Sequence, residues 1–478
     1  MTHAPTDLWQ SALATRWASE AMRSIWSDAH RVGLWRRIWL AVAQTQRELG
    51  LPIPEQAIVQ MQASLDAIDF ESAARHEARL RHDVMAHVHA LGEAAPAAAG
   101  VIHLGMTSQD VVCNADAMLM RQALERIAQG LARLVDRCAT FAATHRALPC
   151  LGFTHYQPAQ PLTVGKRAAL WGQDLALALE EVEARMTQVR MKGLRGATGT
   201  QFSFMALLGD PDKVDALERG VARRLGWPED AVWPVCGQTY PRGVDAAVLG
   251  ALAVAAAAIH KCANDIRLLA NLREIEEPFE REQVGSSAMP YKRNPMRCER
   301  ATGLARFVMG LAPVALQTAA EQWLERTLDD SSARRLYLPE AFLALDAAIE
   351  VMTDVLGGLV VHPAAVTARL DQELPFVATE DLLMAAAKAG ANRQKAHEAI
   401  RVHALAAADR LKRGQSNDLL QRLAADPLFR GVDLQAAMDP GRLIGRSVEQ
   451  TDRWIHQVAG PIRLRHAAAL AHRPALRV

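Results

Sequence analysis

The residues best suited to chemistry lie in the segment GSSAMPYKRNP, at residues 285–295. Gly, Ser and two prolines make it too irregular for a helix and too polar for a buried core. Such a loop, carrying Ser286, Lys292 and Asn294, could close over a substrate carboxylate, where the ammonium and amide groups would stabilise developing negative charge. A solvated surface turn has a similar composition, so this segment alone leaves both interpretations open.

Histidines supply candidates for proton transfer near neutral pH. His155 lies in the loop FTHYQPAQ, just ahead of two prolines, where an imidazole can be held in place as a general acid or base. His82, His87 and His89 fall in a predicted helix, LRHDVMAHVHALG. Because HExxH is absent and an HxH pair on a helix does not converge on one ion, we expect no metal there. The alternative for these histidines is a hydrogen-bonded position near a helix end.

Any phosphate must be bound by side chains. The sequence has no GxxxxGK[ST] motif, no GxGxxG after a strand and no GxSxG motif of a serine hydrolase. Guanidinium groups and hydroxyls of the kind that hold a phosphomonoester occur in ERTLDDSSARR, and Arg16 could join them. The alternative is a solvated, charged helix face. The candidates in that segment are Arg326, Ser331, Ser332, Arg334 and Arg335.

Long helices must position these loops. Good helix formers dominate the chain and alternating Val, Ile and Thr runs are hard to find, which predicts an all-α fold. Apolar spacings of three and four predict a very long helix over 110–147, capped by Thr107 or Ser108. Further helices are predicted over 162–192 and 297–320. The segment 246–259 is apolar on every face, which predicts a helix surrounded by others in a bundle. Loops are expected at 151–161, 195–201 and 236–243.

Composition excludes several classes of protein. The 478 residues carry 54 Lys and Arg against 53 Asp and Glu, and half are hydrophobic, so disordered and collagen-like classes are excluded and no nucleic-acid partner is expected. Six scattered cysteines without CxxC spacing favour a reducing compartment. With no secretory pattern at the N-terminus and no apolar stretch of about 18 residues, we expect a cytoplasmic protein without a membrane partner.

These motifs, in this order, resemble the fumarase/aspartase superfamily, whose members eliminate fumarate from a substituted succinate. GSSAMPYKRNP carries the superfamily resemblance, while RHDVMAHVH and ERTLDDSSARR are similar to the branch that cleaves adenylosuccinate to AMP and SAICAR to AICAR. The resemblance implies an all-α, three-domain fold with divisions at 1–107, 108–361 and 362–478. It also implies a central long-helix bundle shared in a homotetramer, with active sites assembled from several subunits, and no cofactor.

The resemblance also implies residue roles. Ser286 would be the general base, His155 the general acid and His82 its helper, with Lys292 and Asn294 binding carboxylates. Trp17 stands where the family commonly has Tyr. The remaining residues implied to bind substrate are Arg16, Trp17, Asp83, Thr107, Ser108, Thr154, Gln238, Arg300, Arg326, Ser331 and Arg335.

Two alternatives remain at this point. Another lyase or cycloisomerase of the superfamily would share GSSAMPYKRNP but would have no use for a phosphate site built from Arg16, Arg326 and Arg335. A catalytically inactive scaffold on the same fold would have no need for Ser286 and His155 together with the carboxylate-binding groups.

Overall fold

The computed structural model describes residues 8–474 and 476, and its regular structure is almost entirely helical, which confirms the predicted all-α class. The helices of the N-terminal part are α1 Glu20–Ile25, α2 Asp28–Glu48, α3 Glu55–Ala63, α4 Phe70–Leu80 and α5 Asp83–Ala94. The central helices are α6 Ser108–Thr144, α7 Val164–Gln188, α8 Phe202–Leu208, α9 Pro211–Arg224, α10 Gly243–Asn271, α11 Met296–Ala320 and α12 Asp330–Gly357.

The C-terminal part is also helical. It comprises α13 Pro363–Val377, α14 Thr379–Lys388, α15 Arg393–Lys412, α16 Leu419–Ala425, α17 Pro440–Leu443, α18 Ser447–Trp454 and α19 Gly460–Arg465. Short π segments lie at Leu13–Trp17 and Ile455–Ala459, and 3-10 turns at Pro96–Ala98, Pro427–Phe429, Ala436–Met438 and Ala467–Ala469. The division into three domains stays a prediction.

Five long helices, α6, α7, α10, α11 and α12, pack against one another as the central bundle. The predicted helix over 110–147 is α6, which spans 37 residues and begins after Thr107. Its apolar positions at spacings of three and four face the largest core cluster, where Leu131 of α6 and Leu252 of α10 are fully buried. Burial of this stripe, rather than intrinsic propensity, supplies most of the helix's stability.

Two helices of the central bundle, α10 and α11, contain long apolar stretches. By length and composition alone, α10 and α11 could each cross a membrane, so the expectation of no such stretch was wrong. A core helix of a soluble protein passes the same test. Within this chain 56% of the apolar 18-residue stretch of α10 is buried, but only 22% of the corresponding stretch of α11. The prediction that α10 is surrounded on every face is also incomplete, because Val254 is 47% exposed.

A β-hairpin interrupts the helices where the sequence predicted a loop. Strand β1, Pro149–Thr154, pairs antiparallel with β2, Gln157–Thr163. At Gly152 a Cβ atom would lie 2.2 Å from the carbonyl oxygen of Gln160, so only glycine permits this approach. A second, two-residue pairing joins β3, Ile275–Glu276, to β4, Val360–Val361.

A half-buried histidine supports the loop that precedes α6. The indole N–H of Trp39 donates to Nδ1 of His103, at 3.0 Å. Burial lowers the pKa of His103 to about 4, although the charge of Asp110 opposes the shift. The unfolded chain therefore binds a proton here that the folded chain does not bind between about pH 6.5 and pH 4, and the stabilisation from neutral His103 is lost as the pH falls through this window.

We expect the wild type to lose about 3 kcal/mol more unfolding free energy than His103→Gln between pH 7 and pH 4. Gln can still accept the Trp39 hydrogen bond but does not titrate. Urea unfolding at both pH values measures the difference. Parallel losses in the two proteins would show that His103 does not contribute to acid sensitivity.

Candidate active site

A cavity of about 970 Å³ lies where several chain segments meet beside the start of α6. Its volume falls in the range of small-ligand pockets in proteins. The α4–α5 junction, the first turn of α6, Gln238 and the first half of α12 line it. Eight of the residues implied by the resemblance are among the lining residues: His82, Asp83, Thr107, Ser108, Gln238, Arg326, Ser331 and Arg335.

His82 is the N-cap of α5 rather than a residue within a helix, which corrects the sequence prediction. The backbone N–H of Met85 donates to His82 Nδ1 at 3.4 Å, and His82 Nε2 lies 3.2 Å from the hydroxyl oxygen of Ser108. With Nδ1 acting as acceptor, the proton of a neutral ring resides on Nε2, which faces the cavity. The ring is thus held with a donor directed toward Ser108.

Asp83 and Arg335 form an ion pair on the cavity wall, with Arg335 Nη2 2.6 Å from Asp83 Oδ2. Burial raises the pKa of Asp83, but the hydrogen bond and charge of Arg335 and the backbone N–H of Val84 outweigh it, so the pKa is lowered overall. Asp83 therefore stays ionised and holds the guanidinium of Arg335 in place. The side chain of Arg335 is still 55% exposed to the cavity and solvent.

A second acidic residue holds Arg326. Nη1 of Arg326 lies 2.6 Å from Asp330 Oδ1, and Nε of Arg242 lies 2.7 Å from Asp330 Oδ2. Asp330 is almost completely buried, so two arginines neutralise one carboxylate. Arg326 shares this single counter-charge with Arg242, which favours an anionic group next to Arg326 and Ser331.

Arg334, the neighbour of Arg335, also lines the cavity, but its side chain is buried in the wall among the bundle helices. Its guanidinium contacts Asp116 of α6 at 2.9 Å and Asp245 of α10 at 2.7 Å, and it also donates to the hydroxyl of Tyr240. Burial raises the pKa of Asp245, but Arg334 and Arg242 outweigh burial and lower it overall. The sequence grouped Arg334 with the phosphate candidates, whereas the structure gives it a buried ion-pairing role.

The tip of the hairpin carries Thr154 and His155, both exposed. His155 and Tyr156 form a two-residue turn with φ of +52° and +58°. Turns of this type favour Asn-Gly, because side chains are strained at positive φ. Strain held at such a position is typical of functional sites.

The predicted loop around Ser286 is also irregular in the structure. The backbone N–H of Met289 donates to Ser286 Oγ at 3.1 Å, and Asn294 Nδ2 donates to the Gly285 carbonyl at 2.8 Å. A Cβ atom on Gly285 would lie 2.2 Å from the Lys292 carbonyl oxygen, which explains why glycine occupies this position. Lys292 is exposed, so its ammonium is available to a ligand.

Two candidates near the N-terminus lie apart from the other predicted phosphate residues. The pKa of Arg300 is lowered by burial and then by the positive charges of Arg16 and Arg297, which places Arg16 near Arg300 on α11. Trp17 packs, half-buried, against the main core. Within the described residues, the cavity lining does not include Arg16, Trp17, Thr154, His155, Ser286, Lys292, Asn294 or Arg300.

Arg81 is a cavity residue that the sequence analysis missed. It ends α4 in the left-handed conformation, with φ 54° and ψ 36°, immediately before His82. Arg81 is the first residue of the RHD segment, which was the available signal, but its placement depends on a backbone conformation that arginine rarely adopts.

The adjacent arginines give a sharp prediction about stability. Arg334→Met should destabilise the protein by about 3–5 kcal/mol, because it leaves the fully buried Asp245 and the partly buried Asp116 without their partner. Arg335→Met, one residue away and half-exposed, should cost less than about 1 kcal/mol. Denaturant unfolding of the two variants provides the comparison, and equal losses would contradict the assignment of Arg334 to the interior.

Comparison with known proteins places these features in a family. The sequence profile of the family described as "Lyase" matches residues 55–310, and that described as "Adenylosuccinate lyase C-terminus" matches residues 375–454. The chain is 46% identical over 458 residues to the adenylosuccinate lyase of Saccharomyces cerevisiae, covering 94% of this chain and 95% of the relative. It is 34% identical over 397 residues to that of Pyrococcus abyssi, covering 82% of this chain and 86% of the relative.

Solved structures support the fold. A fumarate lyase from Mesorhizobium sp. BNC1 superposes with a TM-score of 0.81 at 24% identity, covering 94% of this chain and 99% of that one. A 3-carboxy-cis,cis-muconate lactonizing enzyme from Pseudomonas putida gives 0.81 at 23% identity, covering 96% and 100%. These structures confirm the fumarase/aspartase-type fold, and the sequence relatives identify the branch: the chain is a lyase that belongs to the adenylosuccinate lyase family.

Proposed function

We propose that this chain cleaves adenylosuccinate into AMP and fumarate, and SAICAR into AICAR and fumarate, in purine nucleotide biosynthesis. Beyond family membership, the observation that carries the proposal is the cavity wall in which Arg326, Ser331 and Arg335 stand together. Guanidinium groups and a hydroxyl at one end of a pocket suit a phosphomonoester, which both substrates carry. Another lyase or cycloisomerase without a phosphate on its substrate would not need this group.

The elimination breaks a C–H bond and a C–N bond and forms the C=C bond of fumarate. Ser286, as the alkoxide, takes the proton from the carbon next to a succinyl carboxylate. The electron pair left behind is delocalised into that carboxylate, which Lys292 and Asn294 stabilise by charge and hydrogen bonding. The same electron pair then forms the C=C bond as the C–N bond breaks.

The leaving nitrogen needs a proton, because expelling it unprotonated would be unfavourable. His155 supplies this proton as the general acid. His82, held by the Met85 N–H and facing Ser108, orients the substrate or the acid. Ser286 functions as a base only where nearby donors stabilise its alkoxide in a site that excludes water, which a closed loop would provide.

Substrate contacts follow from the same arrangement. Thr107, Ser108, Gln238 and Thr154 would bind the succinyl part together with Arg300. Arg335 would bind the phosphate, and Asp83 would hold the guanidinium of Arg335 in position. Arg16 and Trp17 would reach the nucleotide from another copy of the chain, because within one chain they stand near α11 and the core rather than at the cavity.

The active form proposed is a homotetramer with sites shared between subunits. Thr107 lies just before α6, and the hairpin that carries His155 follows the other end of this helix. Because α6 has 37 residues, its two ends are about 55 Å apart. Likewise Arg242 at the start of α10 lines the cavity, whereas the Ser286 loop follows the other end of this helix. Because the two halves of the chemistry stand at opposite ends of the bundle, a complete site needs more than one chain.

Exposed apolar side chains provide the surface for such an assembly. On α11 and the segment that follows it, Leu316 is 61% exposed, Trp323 68% and Leu324 96%. Apolar exposure of this extent marks an interaction surface in a protein of otherwise ordinary composition. The proposed location is cytoplasmic, since all six cysteines are buried and unpaired, which suits a reducing compartment.

The activity is tested by mixing purified protein with adenylosuccinate, following absorbance, and confirming AMP and fumarate by chromatography, with EDTA present to exclude a contribution from metal. We expect turnover by the wild type, and loss of turnover with retained AMP binding for Ser286→Ala. Absence of product would refute the proposed substrate, and argininosuccinate and carboxymuconate would be tested next. Equal loss of AMP binding in the variant would assign Ser286 a structural role.

Site sharing is tested by co-expressing His82→Ala and Ser286→Ala chains with different tags and purifying particles that carry both tags. Each variant alone should be inactive. In randomly mixed tetramers about a quarter of the sites receive an intact His82 and an intact Ser286 from different subunits, so about a quarter of wild-type activity should return. Mixed tetramers without activity would contradict the sharing of sites.

A further inference from the structure

The carboxylate of Asp110 accepts hydrogen bonds from two separate segments of chain, and it is completely buried. One segment is the start of α6, and the other is the loop at 192–196. We propose that Asp110 is a positioning residue, which holds these two segments together and thereby sets Ser108 and Gln238 for the succinyl part of the substrate. The inference rests on the proposed function for the identity of the substrate.

The two oxygens of Asp110 are fully used. Oδ2 accepts the backbone N–H of Thr107 at 2.8 Å, and Oδ1 accepts that of Arg195 at 2.9 Å. The N–H of Gly196 lies 3.2 Å from Oδ1 and 3.1 Å from Oδ2. The ammonium of Lys192, itself fully buried, completes the set by pairing with Oδ1. A carboxylate is the only side-chain group that accepts this many donors without offering one.

The second segment continues directly to the cavity. The carbonyl of Ala197, next to Gly196, accepts the side-chain N–H of Gln238 at 3.0 Å. The backbone N–H of Gln238 in turn donates to the carbonyl of Glu325 at 3.1 Å. Displacement of residues 195–197 would therefore move the amide of Gln238, while displacement of Thr107 would move Ser108.

A separate contact keeps the two segments folded when Asp110 is replaced. Asn114, one turn further along α6, donates from Nδ2 to the Gly193 carbonyl at 3.0 Å and accepts the Gly193 N–H at 3.2 Å. The cavity arginines are also held independently, because Asp330 fixes Arg326 and Asp83 fixes Arg335. Loss of Asp110 should therefore alter position more than it alters folding or phosphate binding.

A pair of variants separates the effect of removing the Asp110 charge from the effect of displacing the two segments. Asp110→Asn alone leaves the Lys192 ammonium buried without a counter-charge, which is strongly destabilising. Asp110→Asn combined with Lys192→Met removes both charges, so the thermal midpoint should lie above that of Asp110→Asn alone. The amide of Asn still cannot accept all three backbone N–H groups. Glu350→Gln, which disrupts a buried ion pair with Arg133 in the bundle, is the control for a purely structural loss.

The experiment measures the thermal midpoint, kcat and KM for adenylosuccinate, and the Kd of AMP for the wild type and these variants. In the double variant we expect kcat/KM to fall about 10–100-fold, since small misplacements of positioning groups cost this much, while the Kd of AMP changes less than about threefold. In Glu350→Gln the midpoint should fall with kcat/KM unchanged. A double variant that recovers both stability and kcat/KM would overturn the proposal.

Amide hydrogen exchange makes the test independent of turnover. In the double variant the amides of Thr107, Arg195 and Gly196 should exchange about tenfold faster or more, because they have lost their buried acceptor, while amides in the middle of α6 stay protected. Unchanged exchange at the three amides would overturn the proposal. If the wild type cleaves no adenylosuccinate, the proposed function fails, whereas the exchange result still decides whether Asp110 holds the two segments.

Discussion

The ion pair between Arg334 and the carboxylates of Asp245 and Asp116 joins three long helices at the wall of the cavity. It is buried, so its charges are shielded little by solvent, and each partner depends on the others for neutralisation. Successive residues on a helix point about 100° apart, so Arg334 is buried in the cavity wall while the side chain of Arg335 stays 55% exposed. The same helix thus uses one arginine to hold the bundle together and the next for the proposed contact with the phosphate.

The length of the bundle helices explains how the site is arranged. Loops at the cavity end provide His82, Ser108 and Gln238, and loops beyond the opposite ends of α6 and α10 carry His155 and Ser286. A rigid bundle holds these loops apart within one chain and presents both sets at fixed positions. In the proposed assembly, a second copy packed against the exposed apolar surface of α11 would bring them together.

The sequence predicted the helices well because their apolar periodicity is long and regular. The start of α6 and the extent of α11 agree with the prediction to within about two residues. The hairpin was missed because its turn uses His155 and Tyr156 instead of Asn-Gly, and because prolines in β2 usually argue against a strand. Pairing across the hairpin, aided by the close approach at Gly152, overrides those local signals.

Within the site, the motifs identified which residues to examine but not what each one contacts. Arg334 and Arg335 look equivalent in sequence, and only packing separates them. The left-handed conformation of Arg81 and the shared acceptor at Asp110 depend on distant segments, to which no local pattern points. Arg16 was grouped with Arg326 and Arg335 by residue type, yet within one chain it lies near Arg300.

The most direct measurement is the structure of the Ser286→Ala protein crystallised with adenylosuccinate. We predict a phosphate within hydrogen-bonding distance, about 3 Å, of Arg326, Ser331 and Arg335 of one subunit, with the succinyl group against His155 and the Ser286 loop of neighbouring subunits. A ligand bound wholly by one chain, or a phosphate held away from these three residues, would contradict this prediction.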